Sequence, residues 1–292
     1  MDMGSDIVAI ENERILELMS VYLNNAPDSV TVEDIQALGE FDVPVEEAFA
    51  LTLAGLLDLD IADDEADREF YRKYFPYMFR RFEAAEFAPD PYLAGIEFPT
   101  GKIGSASFDV QAFAPYEGFV YDDFEVLEDG RIIPKIGFFE ERYEYSTAME
   151  DGRIWMSVTP QEIITVAPAI ERAHGKVLTY GLGLGYFTYM ASLKRDVDSV
   201  TVVEGNLDMI RLFERGILPQ FEQADKVDIV YSDAFDYAGS EMAAERFDFV
   251  YTDIWHDVGD GIDLYLRMKG YEDRLPGAEF MYWIEPTLKC YL

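Results

Sequence analysis

The chain has 292 residues, enough for one large domain or two ordinary ones. With 49% hydrophobic and 15% aromatic residues it can bury a substantial core, which excludes global disorder. The 23 Lys and Arg against 58 Asp and Glu leave a net charge of -35, distributed over both halves; such a chain repels a phosphate backbone, so no nucleic-acid partner is expected and a cationic small molecule is attracted instead.

One cysteine, Cys290, permits neither an intramolecular disulfide nor a cysteine zinc cluster. Two histidines, His174 and His256, leave little scope for histidine metal sites, and no metal is expected. The first ten residues lack a basic stretch followed by an apolar run, so they do not read as a signal peptide. No apolar segment reaches the ~18 residues of a membrane span. The expectation is an acidic cytoplasmic protein that does not engage membranes.

Residues 1–92 read as a helical N-terminal region. Ile7, Ile10, Ile15, Leu18, Met19 and Tyr22 recur at helical spacing over 6–24, and Asn24-Asn25-Ala26-Pro27 ends that helix. Thr31 is a candidate N-cap for a short second helix. Pro44, followed by Glu46 and Glu47, opens a third. A fourth is expected over 65–86, interrupted at Pro76, with Phe70, Tyr74, Tyr77, Met78 and Phe82 on its core face. This aromatic-rich region also offers a surface for a homodimer.

Residues 93–156 read as a small antiparallel β-region, with β-rich runs at 106–113, 119–127, 131–139 and 154–158. Asp129-Gly130 and Asp151-Gly152 supply hairpin turns. Over 157–292 a helix at 160–173 precedes alternating strands (176–180, 199–203, 227–231, 247–252, 279–284) and helical segments. That alternation predicts an α/β fold with a parallel, Rossmann-like sheet covered on both faces.

The chemistry gathers at the C-terminal ends of those strands. Lys176 to Tyr180 runs into Gly181-Leu-Gly183-Leu-Gly185, and a helix follows. Glycines there allow a tight turn and close approach of a ligand. A dinucleotide fingerprint would place its third glycine at position 186, where this chain has Tyr186. Glu204 ends the next strand, nineteen residues after Gly185, where an acid holds a ribose through its hydroxyls. Asp233-Ala234 follows the third strand, and a carboxylate there can accept from an adenine amino group. Asp253-Ile-Trp-His-Asp257 follows the fourth. Asp253 is a candidate for orienting or deprotonating a substrate, His256 a candidate general base beside two acids, and Trp255 a candidate wall that stacks on a cation.

Gly181-x-Gly-x-Gly185, Glu204, Asp233-Ala234 and Asp253, in that order, resemble the class I S-adenosylmethionine-dependent methyltransferase superfamily over roughly residues 157–292. Within it the chain looks most like the spermidine synthase (aminopropyltransferase) branch. There a small β-domain precedes the Rossmann part, and a helix carrying substrate contacts sits just before the glycine strand, as Ile154 to Glu162 does here, with Gln161 as a candidate substrate contact. The resemblance implies that Gly181, Gly183 and Gly185 border the methionine part of S-adenosylmethionine or its decarboxylated form. It also implies that Glu204 binds the ribose, Asp233 and Ala234 the adenine, and Asp253 the attacking amine.

The chain departs from that branch in two places. Leu184 stands where aminopropyltransferases carry Asp in a Gly-Gly-Gly-Asp-Gly run, and Asp253 to Asp257 replaces an Asp-Ser-Ser-Asp-Pro-like segment. The sequence ends soon after the fifth strand, so the family's last two strands are expected to be missing. Three functions follow as expectations: methyl transfer from S-adenosylmethionine to a small molecule, aminopropyl transfer to an amine, or nucleoside binding without turnover.

Overall fold

The computed structural model describes residues 3–292, and the chain divides into two compact units. One comprises the residues up to Glu86 together with Ala112–Glu144; the other comprises Phe87–Gln111 and Tyr145–Leu292. The β-rich stretch that is contiguous in sequence is therefore shared between two cores.

In the first unit, helices span Met3–Asn25, Val32–Gly39, Val45–Leu56 and Glu65–Tyr74. Thr31 and Asp34 form a reciprocal capping box on the second, and the Asp64 carboxylate caps the fourth. The fourth helix is shorter than its aromatic spacing suggests. Pro76 removes an amide donor and disfavours helix at Phe75, so a 3-10 turn over Phe75–Tyr77 leads into a strand, Phe79–Phe82. Phe70, Tyr74, Met78 and Phe82 are buried as expected, whereas Tyr77 is 51% exposed. The strand pairs in parallel with Ile136–Phe139, which pairs antiparallel with Phe119–Val120, so this β-layer is mixed where an antiparallel one is expected. Phe49 stacks on Phe138 at 4.3 Å in the core. Asn12 ties the first helix down: it accepts from Tyr74 Oη and the Ile132 amide, each at 2.9 Å, and donates to Gly130 O at 3.0 Å.

The second unit contains all but the Ala112–Phe113 and Tyr143–Glu144 ends of a four-stranded sheet in the order Gly101–Ile103, Ala106–Phe113, Tyr143–Glu150, Arg153–Ser157. Asp151 and Gly152, both at positive φ, make its last turn. The rest is Rossmann-like. Strands β1 (Gly175–Tyr180), β2 (Val197–Glu204), β3 (Val227–Tyr231), β4 (Phe249–Thr252) and β5 (Glu279–Tyr282) form a sheet in the order β3-β2-β1-β4-β5, every pair parallel. Helix α1 (Pro160–Arg172) precedes β1; α2 (Tyr186–Ser192) and α3 (Leu207–Gly216) follow β1 and β2. Then come α4 (Ala234–Ser240), α5 (Met242–Glu245), α6 (Val258–Lys269) and α7 (Glu285–Lys289).

Strand residues alternate between two cores. Val177, Val200, Val202, Phe249 and Tyr251 join one with Tyr189, Met209 and Phe213 from the helices. Leu178, Tyr180, Val203 and Val250 join the other with Tyr237, Tyr265 and Leu288. Burial on both faces explains why these strands read as continuous apolar runs. Lys194 completes the end of α1, donating to Ile170 O at 2.9 Å and Ala173 O at 2.6 Å. Among the described residues no helix is long and apolar enough to cross a membrane.

Candidate functional site

The strand order reverses beside β1: the chain leaves it for β2 on one side and returns to β4 on the other. Open α/β sheets bind ligands at such a point, beyond the carboxyl ends of the strands. A cavity of about 660 Å³ lies there, within the 300–1,000 Å³ range of small-molecule sites. Gly181, Glu204, Asp233, Ala234 and Asp253 all line it, joined by Ser105, Glu150, Trp155, Asn206, Asp208 and Tyr231.

Gly181 is the hinge of the crevice. Its φ is +97°, and a Cβ there would overlap the carbonyl oxygen of Asp253. Its amide donates to Val203 O at 2.9 Å, and the Asp253 amide donates to Tyr180 O at 2.9 Å. The glycine turn is thus bonded directly to β2, and the Asp253 segment to β1.

Glu204 ends β2 with its carboxylate turned onto the loop backbone. Oε2 accepts from the Leu182 amide at 3.0 Å and Oε1 from the Asn206 amide at 2.7 Å. Burial raises its pKa above the usual carboxylate value, partly offset by the amides of Asn206, Leu182 and Gly205. The carboxylate keeps accepting capacity for a ligand hydroxyl. Asp233 caps α4 through Oδ1, which accepts from Phe235 N at 2.9 Å and Asp236 N at 3.0 Å. Capping and cavity lining coexist in this one side chain.

Asp253 lines the same cavity. Burial raises its carboxyl pKa to about 7. Glu162, on the first turn of α1, is 5% exposed, and its Oε1 has no hydrogen-bond partner. Burial raises its pKa well above the usual value, and the charge of Asp253 pushes it further in the same direction.

Other expected site residues stand elsewhere. Gly183 and Gly185 do not line the cavity. Met156 Sδ occupies the space a Cβ on Gly183 would need and accepts from the Leu184 amide at 3.1 Å, while Phe213 and Phe221 pack against Gly185. Trp255 is a core residue, not a wall: it is 4% exposed, packs edge-on to Tyr265 and meets Gly261. Trp155 is the tryptophan that lines the cavity. His256 lies outside the lining, its Nδ1 3.3 Å from Asp260 Oδ2 and its ring 3.9 Å from that of Trp155. It is 39% exposed at the side chain and immediately precedes the Asp257–Asp260 capping box that starts α6. Gln161 is likewise outside the lining; its carbonyl accepts from Thr165 Oγ1 at 2.7 Å.

Sequence reasoning passed over Glu162, Glu150 and Trp155. Glu162 had a signal: it shares a helix face with Val166 and Ala169, both buried, so it is a carboxylate at a core position. Glu150 had none, because its role depends on Asn206 Nδ2, 2.7 Å from its Oε1, more than fifty residues away.

No protein-family model matches the chain, and no curated protein matches it. Among solved structures, it is similar to the precorrin-8w decarboxylase of Methanobacterium thermoautotrophicum, with 20% identity and a TM-score of 0.32, covering 42% of this chain and 62% of that one. It is similar to spermidine synthase from Thermotoga maritima, with 14% identity and a TM-score of 0.33, covering 48% and 53%. It is also similar to coclaurine N-methyltransferase bound to N-methylheliamine and SAH, with 22% identity and a TM-score of 0.26, covering 32% and 27%. In each case the matched part spans less than two thirds of the solved chain.

Proposed function

We propose that this chain is a transferase that uses S-adenosylmethionine, or a close sulfonium relative, to alkylate a small molecule, with methyl transfer as the first reading. The observation that carries the proposal is the convergence of Gly181, Glu204, Asp233 and Asp253 on one cavity at the switch point of the sheet. When bound, the sulfonium nucleoside supplies an electrophilic carbon with a neutral thioether as leaving group.

The residues present fit such a molecule. Glu204 would hold the ribose hydroxyls and Asp233, through its free Oδ2, the adenine amino group. Gly181 lets the turn lie directly against the Asp253 carbonyl beside the cavity, where any side chain would clash. Asp253 would position the acceptor and take its proton. The protein's contribution is orientation of the acceptor in the displacement line, worth several kcal/mol.

One observation favours aminoalkyl transfer as a second reading. The lining carries five carboxylates (Glu150, Glu204, Asp208, Asp233 and Asp253) and no Lys, Arg or His. No side chain there pairs with the carboxylate of S-adenosylmethionine, whereas its decarboxylated form brings only positive charge.

Isothermal calorimetry with S-adenosylmethionine, decarboxylated S-adenosylmethionine and 5′-methylthioadenosine tests both readings. Binding of all three, weakened in Glu204→Gln, is the expected outcome. Binding of the decarboxylated form alone among the two sulfonium compounds replaces the first reading with the second. Absence of binding by all three at about 1 mM, a threshold of only ~4 kcal/mol, overturns the proposal. Binding without turnover on any amine, phenol or carboxylate leaves a nucleoside-binding module.

A further inference from the structure

The cavity stops short of the middle of the glycine turn: Gly181 lines it, whereas Gly183 does not. What stands over Gly183 comes from outside the Rossmann layer. Met156 Sδ fills the place that a Cβ on Gly183 would take, and it accepts from the Leu184 amide at 3.1 Å. A thioether is a weak acceptor, so this amide gains less from sulfur than it would from an oxygen. A β-bulge aims Met156 there. Its strand, Arg153–Ser157, is an edge of the four-stranded sheet and pairs antiparallel with Tyr143–Glu150. Met156 stands opposite Ala148 and Ile154 opposite Met149, which leaves Trp155 as the extra residue. A regular strand sends successive side chains to opposite faces. The bulge breaks that alternation, so Trp155 lines the cavity and Met156, next in sequence, meets the glycine turn.

The order of the sheet gives the direction in which a nucleoside runs past this point. The tips of β3, β2 and β1 stand in a row. A nucleoside with its base at Asp233, after β3, and its ribose hydroxyls on Glu204, at the tip of β2, carries its 5′ carbon at the end of the furanose away from the base. That end faces the tip of β1 and the glycine turn. A long 5′ substituent therefore continues from Gly181 toward Gly183, into the space that Met156 holds.

We propose that Met156 is a gate that selects nucleosides by the length of their 5′ tail. With its thioether over Gly183 the crevice takes a nucleoside with a short 5′ group; a tail as long as that of S-adenosylmethionine enters only when the Met156 side chain swings out. This rests on the transferase reading above. Methionine suits the task, because its three rotatable bonds let the side chain withdraw without moving the strand. The affinity of a tailed nucleoside is then lowered by the fraction of molecules in which the gate stands closed, while that of a tailless one is untouched.

S-adenosylhomocysteine and 5′-methylthioadenosine test the gate, since they share the adenosine and a neutral sulfur and differ only in the tail. Calorimetry on the full-length protein compares both compounds with wild type and Met156→Ala. The expected result is that the variant binds S-adenosylhomocysteine about tenfold or more tightly than wild type does, while its affinity for 5′-methylthioadenosine changes by less than about twofold. Unchanged or weaker S-adenosylhomocysteine binding, or an equal gain by both compounds, overturns the inference. A second measurement uses wild type labelled with methyl-13C methionine, the Met156 signal being the one lost in Met156→Leu. That signal should shift on saturation with S-adenosylhomocysteine and stay in place with 5′-methylthioadenosine; a signal that moves with both or with neither overturns the gate, and this measurement decides alone if Met156→Ala fails to fold. Binding of neither compound to wild type or variant refutes the nucleoside reading itself; 5′-methylthioadenosine bound without a tail-specific gain refutes only the gate.

Discussion

Replacing Asp253 with Asn should make the protein more stable, and more so at high pH. In an unfolded chain this carboxyl titrates near pH ~4. In the folded chain burial raises it to about 7. Between those values the folded state retains a proton that the unfolded state has lost. The stability is therefore whole below about pH 4 and declines as pH rises through about 7. Roughly three pKa units at ~1.36 kcal/mol each give about 4 kcal/mol by pH 8, and about 1.5 kcal/mol by pH 5. These are upper limits, since the carboxyl keeps partial solvent contact. Asparagine never ionises and escapes the penalty. Urea unfolding of wild type and Asp253→Asn at pH 5 and pH 8 measures the difference. Repulsion from the net charge of -35 acts nearly equally on both proteins and cancels. The reasoning fails if the variant gains nothing at pH 8, or gains equally at both pH values.

Asp233 allows its two duties to be separated. Asp233→Ala should lose about 1 kcal/mol from the missing helix cap, and Asp233→Ser should recover it, in thermal melts. Neither should regain nucleoside affinity, which calorimetry should find about tenfold weaker or worse in both; recovery in the serine variant would leave Asp233 with capping alone. In the other unit, Asn12→Ala should cost about 2–3 kcal/mol in urea unfolding, because Tyr74 Oη and the Ile132 amide lose their acceptor. A cost below about 0.5 kcal/mol would mean that water replaces it.

The Rossmann-like layer was legible because its signals are local. β1 ends in glycines, β2 in Glu204, β3 is followed by Ser232-Asp233, and β4 by Asp253, each within a residue or two of its strand end. Val227–Tyr231 and Ala106–Phe113 form strands with the bounds that their residue types suggest. What escaped depended on contacts remote in sequence. Phe79–Phe82 keeps an aromatic rhythm compatible with a helix, but its partner strand lies more than fifty residues away. Tyr143–Glu150 alternates Glu, Ser and Thr with apolar residues too weakly to announce itself. Trp255 and Trp155 are alike by composition; only the packing of Gly261 and Tyr265 around Trp255 separates core from wall. Gly183 and Gly185 read as ligand contacts, yet Met156, Phe213 and Phe221 already occupy the space their missing side chains leave.

Glu204 and Asp253 sit at the tips of β2 and β4, with β1 alone between them. Neighbouring strands lie ~4.8 Å apart, so two such steps fix a gauge of about 10 Å between the two backbone positions that carry the acids. Backbone hydrogen bonds set that span, and no side-chain exchange can lengthen or shorten it. Substitution along the crevice can alter which chemical groups are grasped at either end, but the reach demanded of a ligand that engages both is written into the sheet itself.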